Sequence, residues 1–392
     1  MISQQRIGLA LSGGGVRAMA FHCGVLRWLA EEKRLEYITH VSTVSGGSLL
    51  TGLVFNLAGW RWPTSEEYLG TVMPAVQQLL TTSSTQASAL LRLLLPWNWR
   101  YFLSRANLVS QVIEHQWGVH ARLADLPQTP VWSVNGTTAE TGRRFRFKRD
   151  TCGDYELGYT VAGNFKVADA MAVSAAFPGL IGPLALRADH YEWQRRRSWG
   201  ASPEEAERVT LPYKRLHLYD GGVYDNLGIE PLFDVGKRVL KGDIDYLIVS
   251  DAGAPLRRAS PHYAMRLKRV VDITMDQVRA LRIRTLMPAL ISKPGMGAYV
   301  MMGMEAQKGI QMLLKELPSH DAQTAAELLR QQWLSASVVD LAAQHPTNLD
   351  RLRPEHFERL ATHGYQTLKW NEMLLQERGA ALGPTPTDGA LT

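Results

Sequence analysis

A chain of 392 residues, 45% of them hydrophobic, can bury a large core and sits above the size that one core comfortably serves. Its 43 Lys and Arg against 37 Asp and Glu give a formal charge of +6, spread along the chain, which argues against a nucleic-acid partner and leaves a mild pull toward anionic surfaces. Cys23 and Cys152 are the only cysteines, too few for a disulfide framework and compatible with a reducing compartment, so a cytoplasmic location is expected, with any membrane contact peripheral.

Met1 to Arg6 is polar, and the apolar run after it is broken by Ser12 and three glycines, so neither a signal peptide nor a membrane span is expected there. Ile7 to Leu11 reads as a strand, Ser12 to Gly15 as a glycine loop, and Ala18 to Leu29 as a helix. The pattern repeats with a strand over Ile38 to Val44, a turn at Ser45-Gly46-Gly47 and a helix over Leu49 to Leu57. Two such units predict an α/β fold with a largely parallel central sheet flanked by helices. Residues 61–127 read as a helical insertion rich in Leu and Trp. Val131 to Asn135 and Arg143 to Lys148 pair as strands around a turn, and Val167 to Ala176 is a helix stopped at Phe177-Pro178-Gly179. The charged stretch Arg187 to Arg208 is expected as a surface excursion, and the basic clusters at Arg143 to Arg149 and Arg195 to Arg197 as solvated faces. Strands follow at Leu216 to Tyr219, leading into Asp220-Gly221-Gly222, and at Tyr246 to Val249. Tyr263 to Leu286 is a long amphipathic helix with arginines outward, and Gln323 to Glu377 supplies further helices. The expected organisation is a catalytic domain over 1–310, a helical region over 311–379 and a disordered tail over 380–392.

Covalent hydrolysis of an ester needs a positioned hydroxyl, a base for its proton and donors for the oxyanion. Ser45, in Thr43-Val44-Ser45-Gly46-Gly47, stands between a β-branched strand and a helix and matches the nucleophile elbow G-x-S-x-G at every fixed position but the first. Gly13-Gly14-Gly15 could gather backbone amides into an anion nest, with Gly14 and Gly15 the candidate oxyanion hole; a plain strand-to-helix turn explains the triplet equally well. Arg17 puts a cation beside the nest, suited to a substrate phosphate or to solvent. Asp220 ends a strand before two glycines and reads either as a catalytic carboxylate or as a turn aspartate. His262, His320, His345, His356 and His363 follow it, but none has the glycine-rich turn that presents a catalytic imidazole; His22 and His40 read as core or surface residues.

Taken together, Leu11 to Met19 (LSGGGVRAM), Val41 to Ser48 (VSTVSGGS), Ala172 to Gly179 (AVSAAFPG) and Asp220 to Asn226 (DGGVYDN) resemble, in order, the motifs of the patatin-like phospholipase family. The first block is similar to the version found in cytosolic phospholipase A2. The resemblance implies a three-layer fold and a Ser-Asp dyad that hydrolyses phospholipid acyl esters without a metal or other cofactor. Ser45 would attack, Asp220 would act as base and Gly13, Gly14 and Gly15 would hold the oxyanion. Arg17 would meet the phosphate, while Gly46, Gly47, Gly221, Gly222 and Asn226 would support the two turns.

A lipid acyl hydrolase must reach its ester at an interface, and the stretch Leu90 to Phe102, with Leu94, Trp97, Trp99 and Phe102 among arginines, has the composition of a headgroup-level surface. A buried helix packed on the sheet fits the same residues. Two other functions stay open: a soluble esterase or thioesterase with the same dyad, and a silent lipid-binding signalling module, against which the intact Ser45, Asp220 and glycine triplet argue.

Overall fold

Ile7–Leu11 forms β1, apolar in four of its five residues and buried along its whole length, as expected of a strand covered on both faces. The computed structural model describes residues 5–179, 181–198, 201–253, 266–314 and 322–381. The further strands are β2 (Ile38–Thr43), β3 (Val131–Thr138), β4 (Arg144–Phe147), β5 (Thr151–Asp154), β6 (Gly158–Val161) and β7 (Leu184–Arg187). After them come β8 (Trp193–Arg195), β9 (Glu207–Val209), β10 (Arg215–Asp220), the small hairpin β11 (Phe233–Asp234) and β12 (Val239–Leu240), then β13 (Tyr246–Asp251) and β14 (Gly297–Met301). The central run β14-β13-β1-β2-β3 is parallel, and from β3 the sheet continues antiparallel through β4, β5, β6, β8 and β9.

Alternation along the parallel strands feeds two cores. Leu9 and Leu11 of β1 pack with helix α1 (Gly15–Glu31) and helix α2 (Gly46–Leu57), while Ala10 joins Leu247 and Val249 of β13 against Leu286 and Leu290 of the helix Arg266–Ser292. Helices therefore cover both faces of a mixed sheet whose central strands are parallel, the three-layer α/β architecture expected. Among the described residues no helix is long and apolar enough to cross a membrane. Cys23 and Cys152 are buried free thiols pushed up to about 12 by burial, packed and unreactive.

Three expectations need correction. The charged stretch 187–208 is not a mere surface excursion: it carries β8 and β9 and extends the sheet, because buried Trp193 anchors it and an edge strand tolerates charge on its open side. The basic cluster of 143–149 is only partly a solvated face, since Arg144 and Arg146 are half-buried on β4. The long helix does not carry all its arginines outward. Arg279 Nε lies 2.7 Å from Asp251 Oδ2 and Arg282 Nη2 2.7 Å from Glu230 Oε1, since carboxylates drawn out of water at these loop and strand ends need a cation. Residues 263–265, where this helix was expected to begin, lie outside the described residues.

The helix Pro354–Ala381 lies along α1, and Phe357, Leu360 and Leu368 share a core with β1. At the crossing a Cβ on Gly24 would stand 1.7 Å from the Ala361 carbonyl oxygen, so the backbones meet where only hydrogen fits. Buried Glu372 accepts from Arg34 Nη1 at 2.7 Å and Trp28 Nε1 at 2.8 Å, tying this helix to the end of α1. Residues 380 and 381, expected in a tail, are in its last turn, and 382–392 lie outside the described residues.

Candidate active site

β2 and β10 run toward each other along one edge of β3. β2 ends with Thr43 opposite Val134, and β10, antiparallel, ends with Asp220 opposite Gly136, so the turns after the two strands meet over Asn135. Asn135 Nδ2 donates to the Thr43 carbonyl at 2.9 Å and to Ser42 Oγ at 3.0 Å, while Thr137 Oγ1 donates to the Asp220 carbonyl at 2.8 Å. Both strand ends are thus pinned to one neighbour, and Ser45 and Asp220 line one cavity.

Ser45 has φ 50 and ψ −117, a conformation that side chains rarely adopt and that a sharp strand-to-helix turn demands. Its N–H donates to Ser174 Oγ at 2.9 Å, which helps hold the turn. Ser174 belongs to a buried chain of hydroxyls. Trp132 Nε1 donates to Thr43 Oγ1, Thr43 and Ser48 hydroxyls meet at 2.7 Å, Ser48 and Ser174 at 2.8 Å, and Ser174 donates to the Asn135 carbonyl at 2.7 Å. With every proton pointing along that direction all the donors are used, so the chain is fully satisfied. This explains Thr43 where the elbow pattern has glycine: its hydroxyl is a link in the chain, and the close approach of α2 comes from the glycines after Ser45.

Asp220 is 2% exposed, and burial pushes its carboxyl up to about 7, against the Gly222 N–H at 2.7 Å and a hydrogen bond from the Ser45 hydroxyl. Among the described residues no histidine hydrogen-bonds Ser45 or Asp220. His363 Nε2 accepts from the Gly303 N–H at 2.9 Å, and His262 and His320 lie outside the described residues. His22 sits beneath the glycine loop. Its Nε2 meets the Ser12 carbonyl at 3.0 Å and must donate, its Nδ1 accepts from Ser250 Oγ at 2.7 Å, and burial lowers it to about 4, so it is a neutral strut.

The glycine loop narrows the expected oxyanion hole. Gly13 N–H donates to the Asn226 carbonyl at 3.2 Å and is occupied, so Asn226 touches the glycine loop. Among the described residues the Gly14 and Gly15 amides meet no acceptor, and both residues line the cavity. Gly15 has φ +62, and a Cβ there would stand 2.2 Å from the Asn348 carbonyl oxygen; one on Gly46 would stand 2.4 Å from the Gly15 carbonyl oxygen. The N-termini of α1 and α2 therefore converge beside Ser45, where free amides and two helix dipoles favour negative charge. Arg17 is 2% exposed and donates to the carbonyls of His345 at 2.9 Å and Ala252 at 3.1 Å, which ties the loop to the segment 344–349.

A family model for patatin-like phospholipase matches residues 9–233, more than half of the chain, and its span holds Ser45, Asp220 and the glycine loop. The chain belongs to the patatin-like phospholipase family. Human GIVD cytosolic phospholipase A2 shares the fold at a TM-score of 0.54 and 14% identity, over 97% of this chain and 63% of that one. VipD from Legionella pneumophila aligns at a TM-score of 0.33 and 13% identity, over 95% of this chain and 67% of that one. This chain thus spans less than two thirds of the length of the human structure. A search of curated proteins finds no match.

In this patatin-like chain the cavity over Ser45 measures about 720 Å³. Leu90, Leu108, Val109, Phe177 and Ile181 give its lining an apolar part, and Arg105, Lys268 and Arg269 a basic part. Lys268 pairs with Asp272 at 2.7 Å; Arg105 and Arg269 have no carboxylate partner among the described residues. The insertion supplies Leu90, Leu108 and Val109 through the helices Thr85–Leu91 and Ala106–Gln116. Between them Leu94, Trp97, Trp99 and Phe102 are 62% to 74% exposed, so the buried-helix alternative does not hold. Sequence reasoning did not find the segment 344–349, which closes the cavity beside the glycine loop, where the Asn348 carbonyl accepts from the Val16 N–H at 2.9 Å. No motif marks it. Ser174 lay inside a recognised block, yet its hold on the Ser45 amide had no signal in the sequence.

Proposed function

We propose that the chain is a lipid acyl hydrolase that cleaves acyl esters of phospholipids at a membrane surface, with Ser45 as nucleophile and Asp220 as base. The observation that carries this reading is the meeting of a strained, partly exposed serine with a buried carboxylate of raised pKa at one cavity, with no histidine among the described residues bonded to either.

The ionised Asp220 carboxylate takes the Ser45 proton as Oγ attacks the acyl carbonyl carbon. The carbonyl oxygen gains the negative charge and is held by the Gly14 and Gly15 amides at the N-terminus of α1, beside the N-terminus of α2. Collapse breaks the ester bond, the leaving alkoxide takes the proton from Asp220, and the acyl group stays on Ser45. Water then attacks the acyl-enzyme with Asp220 again as base, releasing the fatty acid and restoring Ser45. The apolar part of the lining suits the acyl chain. A phosphate suits Arg105 and Arg269, with Arg17 adding its charge from behind the glycine loop. A fluorophosphonate probe is expected to label Ser45, mapped by peptide mass, and labelling should vanish in Ser45→Ala; labelling that persists there would overturn the reading.

The exposed Leu94, Trp97, Trp99 and Phe102, flanked by Arg92, Arg100 and Arg105 and set in the chain between two helices that line the cavity, support docking at the headgroup level of an anionic bilayer. Trp97→Ala/Trp99→Ala should weaken sedimentation with anionic vesicles by about tenfold or more, each ring contributing on the order of 1 kcal/mol. Hydrolysis of a monomeric p-nitrophenyl ester should stay within about twofold. Equal loss on both substrates would mean that the tryptophans shape the site and not the docking.

A further inference from the structure

A second cavity, of about 360 Å³, is lined in part by Tyr224 and Glu230 of the segment that follows Asp220. β4 alternates Arg144-Phe145-Arg146-Phe147, so both phenylalanines are fully buried on one face while the arginines, with Lys148 continuing the alternation, share the opposite face. Like charges on one strand face repel, and here they are also drawn out of water. Burial lowers Arg146 and Lys148, and Arg144 lowers both further.

Their compensation is poor. The nearest carboxylate to Arg144 among the described residues is Glu230, 3.9 Å from its Nε, and Arg282 already holds Glu230 at 2.7 Å. Arg144 Nη1 is buried with no hydrogen-bond partner. Arg146 has no carboxylate partner among the described residues; it lies over the Tyr159 ring at 4.4 Å and faces Gly153 across the ladder, so no side chain closes it off there. Lys241 and Arg143 bring the lining to four cations, of which Arg143 pairs with Glu156 at 2.9 Å. Lys241 donates to the Glu230 carbonyl at 2.8 Å, has no carboxylate partner among the described residues and is lowered by burial and by Arg144. Asp234, the other carboxylate of the lining, caps the amides of Gly236 and Lys237.

We propose that this cavity binds a phosphate-bearing small molecule, held by Arg144, Arg146 and Lys241. Two guanidinium groups and an ammonium converging on one space match a tetrahedral anion of two charges better than a single carboxylate. Tyr155, Tyr159 and Tyr224 bring aromatic rings to the lining for the organic part, and Val235 is the one aliphatic side chain among the lining residues described, so an acyl chain has no wall to pack on. The site is separate from the first cavity and shares no lining residue with it, yet both draw on one run of chain: Asp220 and Asn226 line the first, Tyr224 and Glu230 the second.

The test is calorimetric titration of the full chain with three probes: inorganic pyrophosphate, ADP and glycerophosphoinositol. At least one should bind saturably, and the order of their affinities distinguishes a free phosphate, a nucleotide and a lipid headgroup as the source. Affinity should fall at least tenfold in Arg144→Gln/Arg146→Gln and at least threefold in Lys241→Gln, and stay unchanged in Arg105→Gln/Arg269→Gln, which alters the first cavity. If the double variant does not fold, Lys241→Gln alone decides. Absence of saturable binding by all three probes, wild-type affinity in the folded 144/146 or 241 variants, or loss of binding in Arg105→Gln/Arg269→Gln would overturn the proposal.

Discussion

Asp220→Asn is expected to slow phospholipid hydrolysis by about 10³- to 10⁴-fold, the scale of a lost general base, and at pH 8 to make the protein more stable than the wild type. The amide matches the carboxyl in size and can still accept the Gly222 N–H, so geometry is kept while basicity is lost. In the wild type only the ionised form can take the Ser45 proton, so kcat/KM should rise with pH through a midpoint near 7, where burial has pushed the carboxyl. The stability effect has the opposite sign to that of an ordinary surface carboxylate. The folded-state pKa of about 7 lies above the unfolded value of about 3.9, so the folded form holds the proton over that window and the unfolded form does not. The stability that Asp220 contributes is complete below about pH 4 and lost as pH rises through about 7. The variant has no such loss. Its advantage at pH 8 should be on the order of 2–4 kcal/mol and should vanish near pH 4. Asp169 and Asp225 are also raised by burial, so the difference between variant and wild type isolates Asp220, and the wild-type curve alone does not. Thermal unfolding of both proteins from pH 4 to pH 8 reads it. A variant less stable than wild type at pH 8 would mean that Asp220 is not a buried ionised base.

Gly15→Ala is expected to lower kcat by about 10²- to 10³-fold, with a loss of about 1–3 kcal/mol in stability. Alanine tolerates φ +62 at a modest cost, but its Cβ would stand 2.2 Å from the Asn348 carbonyl oxygen, which is backbone and cannot rotate away. Either the start of α1 or the segment 344–349 must move. The Gly15 amide would leave the place where the oxyanion forms, and the bond from Val16 N–H to Asn348 would stretch from its 2.9 Å. Steady-state kinetics on vesicles should show the loss in kcat more than in KM, because the amide acts on charge that develops only in the transition state. Gly59→Ala is the control: φ there is +69 but nothing lies within 4 Å of the added carbon, so it should carry the backbone cost with no loss of rate.

Ser45 and the glycine loop were legible because each is a local event, an apolar strand broken by small residues before a helix, complete within about ten residues of sequence. Asp220 was not legible in that way. Its own surroundings fit a turn aspartate, and only the order of the motif blocks singled it out. What makes it a candidate base is the register of β10 on β3, with Asp220 opposite Gly136 and Thr43 opposite Val134, a pairing between segments more than 80 residues apart that no local pattern encodes. The same holds for Arg279 and Arg282, whose helical spacing suggested solvent until Asp251 and Glu230 met them. It holds too for β8 and β9, whose charges hid a sheet edge anchored by one buried tryptophan.

The sequence by itself determined the α/β class, the elbow at Ser45 and the exposed character of the stretch Leu90 to Phe102 as one of two readings, since periodicity, glycine placement and hydrophobic composition act over a few neighbouring residues. The tertiary structure alone decided which amides of the glycine loop stay open, that Asp220 is buried enough to be pushed to about 7, and that Arg144 and Arg146 face a cavity and not solvent. Those outcomes depend on burial and on partners brought from distant parts of the chain, and both are properties of the packed sheet.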